Sequence, residues 1–191
     1  MSPLRVTPRS ATAVVGSKDV QRDVWRYLDF LCDGNNDVDK ILDAVAKLPA
    51  AGGTVLFSDG PFVFGTQSLD IQRTGVDLVG QTAGYNASGI GTTFEYTGTS
   101  YALGLNAKTA GAATTRCGVR NIRINGDDTG AYGLQIGNSA GSVKSAQADI
   151  QNVTLSNFAT AGLYCVSAQI CDFWNLWVDG CTGDGILFDA V

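Results

Sequence analysis

Apolar residues between positions 38 and 48 recur at a helical period. Five of them fall at i, i+3, i+4, i+7 and i+10: Val38, Ile41, Leu42, Val45 and Leu48. This spacing places them in one stripe, so the pattern predicts a short amphipathic helix. Asn36 or Asp37 can cap its start, and Pro49 ends it. A Gly-Gly turn then leads into two strand-like segments, residues 54–57 and 62–64.

The residues before this helix allow two interpretations. Residues 1–10 contain two prolines and no periodicity, which is typical of an arm, and residues 11–16 have the pattern of a short strand. Residues 18–31 carry apolar residues at helical spacing, which favours a helix. Residues 27–32 also fit a strand that enters the turn at Asp33-Gly34. We expect an attachment arm over residues 1–17. A second region, over residues 18–191, would contain the predicted helix and the strands that follow it.

Three segments further along the chain repeat one pattern: an asparagine, then apolar residues one and three positions later. Each is followed by a second apolar segment that opens with glycine. The asparagines are Asn121, Asn152 and Asn175, and the glycines are Gly133, Gly162 and Gly185. The interval of 23 residues between the last two asparagines predicts a β-solenoid, whose repeats bury their apolar residues against one another. The interval of 31 between the first two predicts an insertion of about eight residues within residues 137–146.

The aligned asparagines also predict a ladder of side-chain hydrogen bonds. Residues in equal register on neighbouring parallel strands lie about 4.8 Å apart, and asparagine tolerates the left-handed backbone conformation of a turn. Cys117, Ala148 and Cys171 each precede an asparagine by four residues, so we expect a stack of small side chains there. We expect the glycine-rich residues 84–98 to form a long loop between repeats.

Composition narrows the classes of function. Only 16% of the residues are charged, the formal net charge is −5 and no basic cluster occurs, which disfavours nucleic-acid binding. No apolar run is long enough to span a membrane, and the first residues have no secretory-signal pattern. The five cysteines form no CxxC motif, and there is no histidine, so we expect free thiols, no metal site and no cofactor. Free thiols fit folding in a reducing cytoplasm.

The start of the second region resembles a known family. The resemblance rests on residues 32–37 (CDGNND), Ile41, Ala44, Leu48-Pro49, residues 52–55 (GGTV) and the turn at Gly60. These residues resemble the start of pectate-lyase-superfamily proteins, most closely the versions in bacteriophage tailspikes and minor tail proteins. The resemblance covers about residues 11–81. It implies a mainly β fold, a right-handed single-stranded parallel β-helix (solenoid) with an N-terminal capping α-helix.

The resemblance also implies a function class. Phage members of the family are typically homotrimers that attach to the virion tail and bind or degrade polysaccharide on the host cell surface. By this resemblance the protein is expected in the virion tail, made in the cytoplasm of the host bacterium, with other tail proteins bound through the N-terminal arm. No Asn-Thr-Asp, Gly-His-Gly or Arg-Ile-Lys motif of the enzymatic branches occurs. A carbohydrate-active lyase, hydrolase or epimerase, with its site on later rungs, is the alternative.

Candidate chemistry is confined to a few side chains. Sugar hydrolysis needs paired carboxylates, and the candidates are Asp127, Asp128, Asp184 and Asp189. Strand alternation predicts that Trp177 and Tyr164 point outward, where they can contact a sugar or a neighbouring subunit, and that Trp174 points inward. The sequence stops inside a predicted rung, so we expect either a longer natural chain or a partner subunit over that end.

Overall fold

The computed structural model describes residues 11–20, 25–82, 91–107, 115–138, 146–166 and 168–189. Within them the protein is mainly β, with one α-helix and one short 3-10 helix at Trp25–Tyr27. The α-helix, α1, is Val38–Lys47. The strands are β1 (Ala11–Gly16), β2 (Phe30–Leu31), β3 (Gly53–Phe57), β4 (Gly60–Gly65), β5 (Leu69–Ile71), β6 (Val76–Val79), β7 (Thr92–Tyr96), β8 (Tyr101–Leu105), β9 (Thr115–Asn125), β10 (Tyr132–Ile136), β11 (Ala146–Ser156), β12 (Ala161–Val166), β13 (Cys171–Asp179) and β14 (Asp184–Asp189).

Every strand pairing among the described residues is parallel, and the strands form three stacks. The first stack runs β2, β1, β3, β6 and then the first halves of β9, β11 and β13. The second runs β4, β7 and the second halves of the same three long strands. The third runs β5, β8, β10, β12 and β14. From β3 onward the chain visits the three stacks in the same order five times, and we call each visit a row.

The repeats predicted from the sequence lie in register with one another. Ile122 pairs with Val153 and Val153 with Leu176, while Leu134 pairs with Leu163 and Leu163 with Ile186. The expected stack of Cys117, Ala148 and Cys171 is also present. All five cysteines are free thiols, as expected. In the described part of the chain, no helix is long and apolar enough to cross a membrane.

An aromatic cluster fills the space between the first and second stacks in the first two rows. Phe94 packs against three other phenylalanines, with ring centroids 5.1 Å from Phe57, 5.9 Å from Phe62 and 4.8 Å from Phe64. All four side chains are at most 1% exposed. Aromatic rings bury large apolar areas, so this cluster contributes strongly to the core.

Helix α1 lies against β1 and β2, at one edge of the first stack. The helix predicted from the sequence is confirmed. Its predicted stripe is buried at Val38, Ile41, Val45 and Leu48 and half-buried at Leu42. Arg73, between β5 and β6, donates to the backbone oxygens of Val45, Leu48 and Pro49. A guanidinium at this position satisfies the orphan carbonyls of the last helical turn.

Asp37 stands at the N-cap position of α1, but its side chain bonds elsewhere. One carboxylate oxygen accepts from the backbone N–H of Gly34 at 3.0 Å, and the other accepts from the N–H of Val63 at 2.8 Å. The side chain is 1% exposed. Asp37 therefore joins the turn before α1 to strand β4, a tie between the helix and the first row.

Several expectations differ from the structure. Of the helix expected over residues 18–31, the described residues contain only the 3-10 helix at Trp25–Tyr27. Phe30 and Leu31 instead pair with Val15 and Gly16 as strand β2, and residues 21–24 lie outside the described part. The strand alternative for residues 27–32 holds for those two residues. The long loop expected over residues 84–98 is wrong for Thr92–Tyr96, which forms β7. Residues 1–10 of the arm and most of the insertion at 137–146 lie outside the described residues.

Candidate functional site

The predicted asparagine ladder is present and fixes the geometry of the site. The Nδ2 group of Asn175 donates to Oδ1 of Asn152 at 2.8 Å, and Nδ2 of Asn152 donates to Oδ1 of Asn121 at 3.0 Å. All three residues have a left-handed backbone, with φ between 52° and 57°. They stand where each long strand passes from the first stack to the second. The ladder therefore marks a corner that is repeated in the last three rows.

A polar surface lies on the outer side of the first stack, next to this corner. Its members precede the asparagines by three and by one residue, and two residues of β6 continue the same columns. The residues between them, such as Val119 and Ile150, are fully buried, so the members point away from the core. We call this surface the outer face: Asp77, Val79, Gly118, Arg120, Asp149, Gln151, Asp172 and Trp174.

Arg120 holds the early rows of the outer face together. Its guanidinium lies 2.6 Å from Asp149 and 3.8 Å from Asp77, one row to either side. The intervening position is Gly118, where a Cβ atom would lie only 2.4 Å from an oxygen of Asp77. The absence of a side chain at Gly118 gives the Asp77 carboxylate room to lie beside this strand.

The electrostatics of this group follow from burial and pairing. The hydrogen bond to Asp149 is the main cause of the raised pKa of Arg120. Burial raises the pKa of Asp77, and the charge of Arg120 opposes that shift only in part. The Nε of Arg120 is buried and has no hydrogen-bond partner in the part of the chain that the structure describes. Asp149 is thus the better-paired of the two carboxylates.

The last two rows of the outer face form a groove beside Trp174. The groove has a volume of about 510 Å³ and is lined by Asp149, Gln151, Asp172, Phe173 and Trp174. The Nε2 of Gln151 donates to both oxygens of Asp149, at 2.8 and 3.1 Å. The indole of Trp174 is 73% exposed. A flat apolar ring beside carboxylate and amide groups is a surface on which a sugar ring can stack while its hydroxyls bond at the edge.

The position of Trp174 corrects the sequence prediction. Alternation from Leu176 placed Trp174 inward, but the left-handed conformation of Asn175 interrupts the alternation between them. Trp174 therefore pairs in register with Gln151 and lies on the outer face. The groove was not predicted from the sequence, because Trp174 was expected to point inward.

The other two aromatic candidates lie in different surroundings. Trp177 lies beyond the corner, in register with Thr154, and is 49% exposed. Tyr164 is buried, with its ring stacked on Tyr132 at 4.4 Å and its hydroxyl 3.3 Å from a carboxylate oxygen of Asp189. Burial raises the pKa of Tyr164, with a further contribution from Asp189. A role in sugar or subunit contact stays a prediction for both residues.

The four predicted carboxylates are not brought together in one place. Asp127 and Asp128 lie exposed in the turn between β9 and β10, where Asp127 accepts from the backbone N–H of Thr129 at 3.1 Å. Asp184 and Asp189 are the first and last residues of β14. Five strand steps separate them, roughly 16 Å, which exceeds the spacing of a catalytic pair in glycosidases. A catalytic role for any of these four residues stays a prediction.

A signal for the outer face was present in the sequence. Asp149 and Asp172 stand at the same offset from their asparagines, three residues before each. Asp77 could not have been placed beside them without the register of β6 on β9. Among the described residues, no group of three or more histidine, cysteine, aspartate or glutamate side chains is arranged to hold a metal ion.

Comparison with known proteins gives a likeness of fold. No family model matches the chain, and no curated protein matches it. Among solved structures, the ORF18 protein of Geobacillus virus E2 superposes with a TM-score of 0.62 at 16% sequence identity. The match covers 76% of this chain and 28% of the viral protein, so the chain spans less than a third of that protein's length. At this identity the likeness shows a shared fold.

Proposed function

We propose that the chain forms a right-handed single-stranded parallel β-helix, with α1 as its N-terminal cap. Support comes from the order of the strands, because the chain passes through three parallel stacks in the same sequence in all five rows. Parallel connections of this kind are right-handed in nearly all known sheets. The chain also shares its fold with a viral protein, the ORF18 protein of Geobacillus virus E2.

We propose further that this β-helix belongs to a bacteriophage tailspike or tail-fibre protein and presents its outer face to polysaccharide on the host cell. The observation that carries the proposal is Trp174, exposed on a wall of parallel strands beside Asp149, Gln151 and Asp172. We also propose that the protein is a homotrimer in the virion tail. It would attach to other tail proteins through residues 1–17. Trp177 is proposed as a contact between subunits.

The test uses the full chain labelled with a fluorophore and bacterial cells of candidate host strains. We expect binding that is lost when the cell-surface sugars are oxidised with periodate, and that soluble polysaccharide from the same cells competes away. Trp174→Ala is expected to weaken binding at least tenfold, whereas Tyr27→Ala, which removes an equally exposed aromatic near α1, is expected to leave it unchanged. Binding that survives periodate, or that Tyr27→Ala reduces as much as Trp174→Ala, would contradict polysaccharide recognition by this face.

A second candidate function is hydrolysis of the bound glycan. Asp149 and Asp172 are paired in register on adjacent strands, which lie about 4.8 Å apart. This spacing is close to that of the two carboxyl groups in retaining glycosidases, about 5–5.5 Å. The carboxylate of Asp149, which would serve as the nucleophile, lies 2.6 Å from the guanidinium of Arg120. Release of reducing sugar ends by the wild-type chain, and its loss in both Asp149→Asn and Asp172→Asn, would establish the enzyme; binding without release supports recognition alone.

A further inference from the structure

The charge of the groove restricts the class of sugar that it can hold. Among the outer-face residues, three aspartates and one arginine are ionisable, and Arg120 is already shared between Asp77 and Asp149. Asp172, in the last row, has no hydrogen-bond or ion-pair partner among the described residues. Arg116 donates to Gln147 at 3.2 Å and lines a neighbouring hollow, which shares Asp149 and Asp172 with the groove but does not include Trp174. The groove therefore presents unpaired negative charge beside the exposed indole.

The hydrogen-bonding capacity of the groove favours a ligand that supplies donors. An ionised carboxylate only accepts hydrogen bonds. The amide N–H₂ of Gln151 is directed at Asp149, which leaves its Oε1 oxygen as a further acceptor. A ligand that lies on Trp174 must therefore supply donors to Asp172 and Gln151. Sugar hydroxyls supply donors, whereas the carboxylates of uronic acids, phosphates and sulfates supply only acceptors.

On the basis of the proposed function, we propose that the glycan unit recognised at Trp174 carries no negative charge. The sugar ring stacks on the indole through its C–H face, and vicinal hydroxyls donate to the Asp172 carboxylate and to Gln151 Oε1. A uronate, sulfate or phosphate on that unit would place two like charges within about 5 Å, which in a partly solvated groove weakens binding by about fivefold or more. The site thus selects against acidic polysaccharides by charge rather than by shape.

The test compares matched neutral and acidic probes on the same protein. A galactan and a polygalacturonate of similar length are titrated against the full chain, together with an array of purified bacterial surface polysaccharides that includes neutral and uronate-bearing members. We expect the bound members to be neutral at low salt. Asp172→Asn is expected to raise the affinity for uronate-bearing members about fivefold relative to that for neutral members, an effect that should shrink in 0.5 M NaCl because salt screens the charge.

The outcomes separate the two proposals. If uronate-bearing members bind the wild-type chain as tightly as neutral ones, or if Asp172→Asn changes neither, the charge inference is wrong while polysaccharide recognition stands. If no glycan binds at any salt concentration, polysaccharide recognition and the charge inference are both overturned. Circular dichroism of Asp172→Asn and Trp174→Ala confirms that each variant is folded, which is expected because both side chains lie on the surface.

Discussion

The two ends of the strand stacks contain similar apolar side chains in different degrees of contact with solvent. Near α1, Phe57, Phe62 and Phe94 are at most 1% exposed. In the last row, Ile186 is 46% and Phe188 is 67% exposed, although both pair in register with buried residues of β12. The comparison shows that burial in this fold is set by cover on both sides of a row, which a neighbouring row or the elements around α1 can supply. A residue's own hydrophobicity determines much less.

The largest difference between the two ends should be seen on truncating a phenylalanine. Phe94→Ala removes a ring that packs against three others, and we expect a loss of about 3–5 kcal/mol in the free energy of unfolding. Phe188→Ala, the matched variant in the last row, should cost less than about 1 kcal/mol, because most of its ring is in water. Urea unfolding followed by circular dichroism measures both. Equal losses would show that the last row is covered in solution.

The next largest loss in the free energy of unfolding is expected when Asp37, which joins the turn before α1 to strand β4, is removed. Asp37→Ala leaves the N–H groups of Gly34 and Val63 without their acceptors in a buried place, for which we expect a loss of about 3 kcal/mol. The control is Asp39→Ala, whose carboxylate accepts from Gln67 at the surface and should contribute at most about 0.5 kcal/mol. Urea unfolding followed by circular dichroism distinguishes the two variants. A small effect of Asp37→Ala would mean that water replaces the carboxylate.

The asparagine ladder gives a smaller contrast between an inner row and the last row. Asn152 bonds to asparagines on both sides, whereas Asn175 bonds to only one described asparagine. Both have left-handed backbones, so alanine adds similar strain at either position, about 1–2 kcal/mol. Asn152→Ala should therefore be less stable than Asn175→Ala by about 1 kcal/mol, the value of one hydrogen bond. Glycine at each position would relieve the strain and leave that difference.

The smallest perturbation is chemical labelling of the thiols. Burial raises the pKa of Cys165 to about 12, so at pH 8 its thiolate fraction is about a thousandfold lower than that of an ordinary thiol. Burial also raises the pKa of Cys32. We expect both to resist iodoacetamide in the native protein, while Cys181 in the last row, which is half-buried, is alkylated first. Peptide mass spectrometry after timed quenching gives the order. Early modification of Cys165 would indicate local opening of β12.

Much of the fold could be predicted from the sequence because its signals are local. The stripe of α1, the strands on both sides of Gly60 and the aligned asparagines all depend on residues close together in the chain. The strand at Thr92–Tyr96 was missed because its neighbouring glycines outweighed a short alternation in which Thr92, Phe94 and Tyr96 are all buried. Strand β2 is only two residues long, and it exists because β1 offers it a partner.

The outer face was harder to predict because it depends on register between distant residues. Asp77 and Arg120 meet only because β6 pairs with β9 at one particular alignment. Trp174 was misplaced because a single left-handed residue, Asn175, changes which side of the strand the next residue faces. A sequence repeat can identify which residues are equivalent. The backbone conformation at the corner then decides which of them share a surface.

The asparagine ladder also fixes the spacing of residues along the outer face. Because each asparagine sets the register of its row, residues at a constant offset from it recur along the stack at one strand spacing, about 4.8 Å. Duplication of a 23-residue unit, the interval between Asn152 and Asn175, should lengthen the wall by that distance and reproduce the same pair of outward positions. The stack can therefore be lengthened one row at a time, with the asparagine as the register position of each row.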